Sequence, residues 1–301
     1  VVAWDKAHTS TAKRLAIYSE YKAGRVSPPE DFYVQIPLLK DLIEALGWGF
    51  LETDEYEADD IIGTLARQAD EAGDYETYIV SSDLDMLQIV DDNTKMYRLL
   101  KGFTDIEEID VPAIEKKYGI LKRQFLDLKA LKGDSSDNIP GVPGIGEKTA
   151  VKLLNQFGDL KGIYDHLEEL SGVVRQKLAD GRESAEMSYK LAKIMTDAPV
   201  ELEEIPDLLI NPEKIITALR RLEFNSLIRK FRKVLEETEE GTGTRQDDDI
   251  LKEVISKYQI PKDTIVASEI KEKMHRSVCL ADLVLRGERQ IWDLKQASFL
   301  L

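Results

Sequence analysis

The sequence contains few of the residues that cross-link small secreted proteins or bind zinc. Cys279 is the only cysteine among 301 residues, so a framework of disulfides within the chain is excluded. The three histidines, His8, His166 and His275, are too widely separated to suggest a zinc site. A reducing cytoplasm is the compartment that this composition fits best.

Long hydrophobic runs are also lacking. No stretch of about eighteen residues is both apolar and uncharged, and residues 1–4 run into Asp5 without the basic and apolar zones of a signal peptide. We therefore expect no attachment to a membrane. The 43% of hydrophobic residues is nevertheless enough to bury a core, in one large domain or two smaller ones.

Positive charge is scarce, with 41 Lys and Arg against 57 Asp and Glu and a formal net charge of −16. A chain of this charge is not expected to wrap nucleic acid nonspecifically, because such binding needs clustered Lys and Arg. Carboxylates gathered around divalent cations, however, present positive charge to a phosphate once the metal is bound. The acidic composition is therefore compatible with a metal site that acts on phosphates.

Hydrophobic periodicity predicts an α/β fold with a parallel sheet, followed by a helical region. Residues 1–100 alternate β-like and helical runs, with strands predicted at 1–4, 78–80 and 95–99 and helices at 28–46 and 57–72. The β signal then fades, and helices are predicted at residues 125–131, 147–157, 173–178, 184–195 and 213–235. We divide the chain into residues 1–110, 111–236, a polar linker at 237–250 and a tail at 251–301.

Acidic residues stand at the predicted ends of elements in four separate segments: Asp5; Glu57, Asp59 and Asp60; Asp83 and Asp85; Asp134 and Asp137. Ligands of an open parallel sheet bind beyond the carboxyl ends of its strands, so these side chains should converge. Hard divalent cations prefer such oxygen ligands, and two ions about 4 Å apart suit phosphodiester hydrolysis. Taken singly, each group could instead cap a helix or favour its dipole, whereas the joint spacing favours a metal site.

Residues 139–150 place three glycines and two prolines in a turn that opens a predicted helix. Gly141, Gly144 and Gly146 would let the backbone approach a phosphate, the N–H groups at the helix start would face the anion, and Lys148 would add charge. Such a helix-hairpin-helix holds the sugar-phosphate backbone of duplex DNA without reading bases. The alternative is a plain turn between two helices.

Basic and aromatic residues are interleaved between the first strand and the first long helix: Lys13, Arg14, Tyr18, Tyr21, Lys22 and Arg25. Phosphate contacts combined with stacking of bases on the tyrosines would explain this pattern. A charged face exposed to solvent would explain it equally well.

Six strings of the sequence carry a family resemblance, in order along the chain: VVAWDK (1–6), YKAGR (21–25), YEADD (56–60), SSDLDMLQ (81–88), KGDSSDNIPGV (132–142) and GIGEKTA (144–150). Over residues 1–236 the chain resembles the 5′ nuclease domain of bacterial DNA polymerases I, within the flap endonuclease family. The resemblance implies a metal-dependent 5′–3′ exonuclease and flap endonuclease in the cytoplasm. Its substrates would be 5′ flaps and nicked or gapped DNA duplexes.

The resemblance also implies roles for individual residues. The metal ligands, direct or through water, would be Asp5, Glu57, Asp59, Asp60, Asp83, Asp85, Asp134 and Asp137, holding two or more Mg²⁺ or Mn²⁺ ions. Lys22 and Arg25 would act on the scissile phosphate. DNA would be contacted by Lys6, Arg14, Gly141, Gly144, Gly146, Lys148 and Thr149, and a K⁺ ion is implied at the helix-hairpin-helix.

Two departures from the family lead to further expectations. The family begins with an apolar strand that ends in a metal-binding aspartate, and this chain has nothing before Val1. We therefore expect a fragment with a weakened sheet and impaired activity; the alternative function is a DNA-binding fragment that keeps only the hairpin. Residues 291–301 are similar to the start of a proofreading-like domain, which implies continuation into a polymerase, although the tail could also be a separate helical extension.

Other classes of protein fit the sequence less well. A related metal-dependent ribonuclease would share the carboxylates, but the glycine hairpin favours duplex DNA. A Ca²⁺-binding protein of the EF-hand type is disfavoured, because no twelve-residue loop of that type is present.

Overall fold

The computed structural model of the chain describes residues 1–101, 105–202, 205 and 210–239. The predicted tail and most of the predicted linker, residues 240–301, lie outside these ranges. None of the helices in the described ranges combines the length and the apolar character that crossing a membrane requires. Strands and helices alternate up to residue 118, and helices follow, so the predicted α/β core with a helical region after it is confirmed.

Two short parallel strands form the first sheet. Strand β1 (Val2–Ala3) pairs with β2 (Phe50–Leu51), with Val2 opposite Phe50. Backbone N–H groups of Val2 and Trp4 extend this ladder by donating to Gly49 and Leu51, each at 2.8 Å. Both β1 residues are fully buried, as expected for a strand covered on both faces.

The second sheet has three strands. Strand β3 (Thr77–Ser81), which is buried along its whole length, is parallel to β4 (Thr94–Lys101). Strand β5 (Asp105–Ile109) pairs antiparallel with β4, and the sequence analysis missed it. Its acidic residues weaken the alternating apolar signal, and it forms because β4 supplies an edge for a hairpin.

The described helices are α1 (Ala12–Ile17), α2 (Glu30–Ala45), α3 (Ala58–Ala72), α4 (Val111–Tyr118), α5 (Phe125–Lys132), α6 (Glu147–Phe157), α7 (Leu160–Asp165), α8 (Gly172–Asp180), α9 (Arg182–Ala192), α10 (Pro212–Arg221) and α11 (Asn225–Glu239). The predicted helix at 147–157 has the same bounds in the structure. Helix α3 is followed by its C-cap residue Gly73, whose φ of 76° matches the predicted stop.

The prediction of one helix over residues 213–235 is wrong. The structure has two helices there, because Glu223 takes a left-handed conformation with φ of 56° and interrupts the helical backbone. Helix α10 begins with Asn211, whose side chain accepts a hydrogen bond from the Lys214 N–H at 3.0 Å, followed by Pro212. The two helices pack their apolar faces against α2, which the turn at Glu223 makes possible.

The three largest apolar cores of the described residues hold most of these elements together. The first lies between α3, β3 and β4 and includes Ile61, Leu65 and Met96. The second lies among α5 to α9, and the third joins α2 to α10 and α11. The site described below lies where the first and second cores meet, since helix α5 packs against α9 and also contacts the turn after β3.

Asp127 is the one acidic residue of α5, and it is buried away from the other carboxylates described below. Its Oδ1 accepts a hydrogen bond from the Leu160 N–H at 3.3 Å, at the start of α7. Burial raises the pKa of Asp127 from its ordinary value of 3.8 to about 6, although the Leu160 N–H works in the opposite direction. The folded state therefore binds this proton more tightly than the unfolded chain does.

The Asp127→Asn variant should be more stable than the wild type at neutral pH, because the amide keeps the acceptor for Leu160 and carries no charge. The raised pKa of Asp127 costs the folded state no stability below about pH 4. The loss of unfolding free energy increases up to about pH 6 and is constant above it. We expect a difference of about 2–3 kcal/mol in unfolding free energy at pH 7, vanishing near pH 4. Urea unfolding across this range measures it.

The matched control is Asp180→Asn, which neutralises an exposed carboxyl on α8 and should show no such pH-dependent gain. Equal or lower stability of Asp127→Asn at pH 7 would contradict the assignment.

Candidate metal centre and nucleic-acid interface

The first carboxylates of the candidate site meet at the start of α3. Asp5 follows β1, and its Oδ1 accepts a hydrogen bond from the Ala58 N–H at 2.7 Å. Glu57 is the N-cap residue of α3, and the Asp60 side chain accepts from the Glu57 N–H at 2.9 Å, which completes a capping box. Parallel pairing of β1 with β2 therefore brings Asp5 to the residues that begin α3.

Arg14 is buried against this group. Its guanidinium donates to both oxygens of Asp60, at 2.7 and 2.8 Å, and lies 3.0 Å from Glu57 Oε2. It also donates to the carbonyls of Leu191 and Lys193, each at 3.0 Å. Arg14 thus joins α1 to α3 and to the end of α9.

This arrangement gives protein partners to two residues of the predicted site. Arg14 was expected to contact DNA, but only 5% of it is exposed and its donors are taken by protein groups. Asp60 was expected to bind metal, but it is fully buried, and it accepts hydrogen bonds from Arg14 and from the Glu57 and Met195 N–H groups. Both residues are better explained as a buried ion pair that fixes the start of α3.

A second group of side chains links Glu57 to Asp137. The Tyr21 hydroxyl lies 2.9 Å from Glu57 Oε2 and 3.2 Å from Asp137 Oδ2, and Lys22 contacts both carboxylates. Arg25 forms an ion pair with Asp137. Burial, followed by the charges of Glu57 and Asp137, raises the pKa of Tyr21 well above its ordinary value. The suggestion that Tyr21 stacks on bases is corrected, because its ring is buried.

A third group consists of Asp59, Asp83 and Asp85. Asp83 follows β3, and its side chain accepts a hydrogen bond from the Asp85 N–H at 2.9 Å. Burial and the charges of Asp83 and Asp85 raise the pKa of Asp59 well above its ordinary value, while burial raises the pKa of Asp85 to about 6. Asp59 Oδ1 is buried and has no hydrogen-bond partner within the described residues.

The remaining carboxylate, Asp134, follows α5. It accepts hydrogen bonds from the Ser136 N–H and hydroxyl, at 2.8 and 2.6 Å, and Lys129 bridges it to Asp85. The sequence analysis missed Lys129. A signal was available, because Lys129 lies four residues after the buried Phe125 and therefore shares the apolar face of α5.

All eight predicted carboxylates are thus linked into one cluster by shared contacts or mutual electrostatic interactions. Among the described residues, no three acidic, histidine or cysteine side chains already surround a point that could hold a metal ion. Basic side chains stand between several of them. The four basic residues in contact with the eight acids, Arg14, Lys22, Arg25 and Lys129, leave a formal excess of four negative charges. This excess, together with the unpaired Asp59 oxygen, fits divalent cations held by oxygen ligands.

The glycine turn is built onto the same segment of the chain. Asp134 and Ile139 exchange backbone hydrogen bonds of 2.8 Å, and the Val142 N–H donates to Leu131 at 2.8 Å. Gly141 has φ of 61°, and a Cβ at this position would lie 2.3 Å from the backbone nitrogen of Gly133. Only glycine therefore fits where the two turns touch.

The outer part of the turn is exposed to solvent. Gly144 has φ of 79°, and its carbonyl accepts a hydrogen bond from Lys177 at 3.0 Å. Gly146 is the N-cap of α6, and Lys148 is exposed in the first turn of that helix. The Thr149 N–H is bonded to the Gly146 carbonyl at 3.1 Å. A backbone turn leading into an exposed helix N-terminus has the character of a phosphate site.

Lys6 is the one predicted DNA contact that lies outside these groups. Lys6 follows Asp5 in the sequence. Its side chain is partly exposed and forms an ion pair of 2.7 Å with Asp54. A DNA phosphate would have to compete with this carboxylate.

Two family models match consecutive parts of the chain. Residues 1–119 match the N-terminal resolvase-like domain of 5′–3′ exonucleases, and residues 120–214 match their C-terminal SAM fold. The DNA polymerase I of Bacillus subtilis (strain 168) is 36% identical over 288 residues, which cover 93% of this chain and 32% of that protein. The chain therefore spans about a third of the length of this curated relative.

Two solved structures are similar in fold. A mutant of the T5 5′-exonuclease is 25% identical with a TM-score of 0.52, covering 64% of this chain and 72% of the other. The bacteriophage T5 D15 flap endonuclease, in a pseudo-enzyme–product complex with DNA and metal ions, is 22% identical with a TM-score of 0.54. That match covers 82% of this chain and 81% of the T5 chain.

The corrected role of Arg14 predicts a loss of stability without a loss of DNA contacts. Arg14→Met should lower the unfolding free energy by about 3–5 kcal/mol, because it leaves Asp60 buried without its partner. Thermal unfolding measures this change. The control is Arg175→Met, which breaks an exposed ion pair with Glu168 and should cost less than about 1 kcal/mol. A variant that stays as stable as the wild type but binds DNA more weakly would contradict the buried role.

Proposed function

The chain belongs to the 5′–3′ exonuclease family, and from this membership we propose that it hydrolyses DNA phosphodiesters at 5′ flaps and at nicked or gapped duplexes with divalent cations. The observation that carries the proposal is the cluster of eight carboxylates with an excess of negative charge, next to a glycine turn that suits phosphate. The names of these relatives, a DNA polymerase I and a 5′-exonuclease, agree with a role in DNA metabolism.

We propose that two Mg²⁺ or Mn²⁺ ions are held by Asp5, Glu57, Asp59, Asp83, Asp85, Asp134 and Asp137, directly or through water. When bound, such ions supply Lewis acidity to the phosphodiester and to the attacking water. The protein holds the carboxylates in place, with the Ala58 N–H on Asp5, the Asp85 N–H on Asp83 and Ser136 on Asp134. Asp60, also predicted as a ligand, accepts hydrogen bonds from Arg14 and supports the start of α3.

Lys22 and Arg25 are proposed to contact the phosphate that is cleaved. Their contacts with Glu57 and Asp137 place both cations at the edge of the carboxylate cluster, where they are 11% and 22% exposed. Lys22 has φ of 57°, a conformation that costs energy for a lysine, and its N–H donates to the Asp137 carbonyl at 2.9 Å. A cation held in this way can neutralise an anionic phosphate in a preorganised position.

We propose that the turn around Gly141, Gly144 and Gly146, with Lys148 and Thr149, grips the backbone of the duplex, with K⁺ as a candidate ion at the turn. The left-handed Gly144 and the exposed N-terminus of α6 support this assignment. Because these groups are backbone amides and one lysine, binding should not depend on base sequence.

The division of the chain is also a proposal. Residues 1–110 would form the metal-binding core, residues 111–236 the DNA-binding helical region, and residues 237–250 a linker to a further domain at 251–301. Because the curated relative named above is a DNA polymerase I of about three times this length, we propose that the whole protein continues into a polymerase and acts on DNA in the cytoplasm, at the nucleoid.

Asp59→Asn should separate cleavage from DNA binding, because it removes a proposed metal ligand and leaves the glycine turn intact. We expect cleavage of a 5′-flap oligonucleotide in Mg²⁺ to fall by at least about a hundredfold. DNA binding, measured by fluorescence anisotropy, should persist. The control Asp74→Asn changes an exposed carboxyl in the turn after α3 and should cleave normally. Absence of metal-dependent cleavage by the wild type would favour the alternative, a DNA-binding fragment that keeps only the hairpin.

Lys148→Ala should have the complementary effect. Duplex DNA of any sequence should bind more weakly, and the slope of log K against log salt should decrease by about one, because one phosphate contact is lost. Cleavage at saturating DNA should be unchanged. Lys161→Ala removes a lysine of α7 that is 83% exposed and serves as the control. If both variants bind DNA like the wild type, Lys148 does not contact phosphate.

A further inference from the structure

Lys129 is a buried cation that connects two parts of the carboxylate cluster. It lies in α5, its side chain is 8% exposed, and its ammonium contacts both Asp85 Oδ1 and Asp134 Oδ2. Asp85 belongs to the turn after β3, whereas Asp134 follows α5 itself. One ammonium therefore ties the edge of the sheet to the loop that leads into the glycine turn.

The contacts explain why a lysine is tolerated at a buried position. Burying an unpaired ammonium, like burying any single ion, costs several kcal/mol. Pairing with carboxylates offsets this cost. Two carboxylates contact Lys129. Because both lie against the same ammonium, they are close enough to repel each other if no cation stands between them. Although burial lowers the pKa of Lys129, the two carboxylates outweigh it and keep the side chain charged.

The backbone around Lys129 is buried and hydrogen-bonded, and the rotatable bonds of this residue lie in its side chain. Leu128, Ala130 and Leu131 are fully buried, and the Gly133 N–H donates to the Lys129 carbonyl at 2.9 Å. The four methylene groups of the side chain are the flexible part. Movement of the ammonium away from the two carboxylates would therefore need rotation about side-chain bonds and not a rearrangement of α5.

We propose that Lys129 is a positioning residue, the built-in counter-ion of Asp85 and Asp134, which holds these carboxylates together and competes with divalent cations for them. The inference rests on the proposed function, because it takes Asp85 and Asp134 as ligands of those cations. Lys129 stabilises the fold in the absence of divalent ions and weakens the binding of those ions.

The test uses Lys129→Met in the full chain, with Ca²⁺ as the probe because it binds oxygen ligands. We expect the Ca²⁺ dissociation constant, measured by calorimetry, to become about tenfold tighter, since a nearby positive charge is removed. The Tm in EDTA should fall, and the rise in Tm on adding Ca²⁺ should exceed that of the wild type.

Two further variants serve as controls. Lys129→Arg keeps the charge and should retain the affinity of the wild type more closely than Lys129→Met. Lys132 lies on the same helix as Lys129 and forms an exposed ion pair with Glu147. Lys132→Met removes this pair and should change neither the Ca²⁺ affinity nor the effect of Ca²⁺ on Tm.

Unchanged or weaker Ca²⁺ binding by Lys129→Met would overturn the inference while leaving the proposed function intact. Failure of the wild type to bind any divalent cation would instead overturn the proposed function, and the inference with it. If Lys129→Met does not fold in EDTA, the double variant with Asp134→Asn should recover folding, because it removes one of the two repelling charges. No recovery would also overturn the inference.

Discussion

Eight carboxylates gathered in one cluster impose the main constraint on this structure, because like charges at short range repel unless cations lie among them. Four basic side chains meet this constraint: Arg14, Lys22, Arg25 and Lys129. They come from α1, from the segment that follows it and from α5. Pairing with these cations, which offsets half of the negative charge, therefore also joins the helical region to the sheet.

The four cations differ in what they can do. Arg14 is buried, and its planar guanidinium is bonded to both oxygens of Asp60, so its role is structural. Lys22 and Arg25 are partly exposed, which agrees with the proposal that they contact a phosphate. Lys129 is buried between Asp85 and Asp134, which is why it is proposed as their counter-ion. Burial and side-chain shape thus separate roles that charge alone does not distinguish.

The segment from Gly133 to Gly146 connects the carboxylates to the proposed DNA contact. Asp134 and Ile139 are bonded to each other, and Gly141 packs against Gly133 so closely that a side chain would not fit. Ser184 and Ser188 of α9 bond to the carbonyl and the N–H of Gly141. A few residues therefore set the distance between the proposed metal site and the proposed phosphate-binding turn, which would determine where a bound strand is cut.

The sequence by itself determined the elements with strong periodicity and the set of acids, because helical spacing and strand ends are local properties of the chain. It predicted the helix at 147–157, the buried strand around Ile79 and the carboxylates that converge. Tertiary structure determined that β5 forms, because this strand needs β4 as its partner. It also determined that the helical backbone breaks at Glu223. It also decided that Arg14 and Asp60 pair in the interior and that Lys129 lies between two carboxylates, because burial and ion pairing depend on contacts between residues far apart in the sequence.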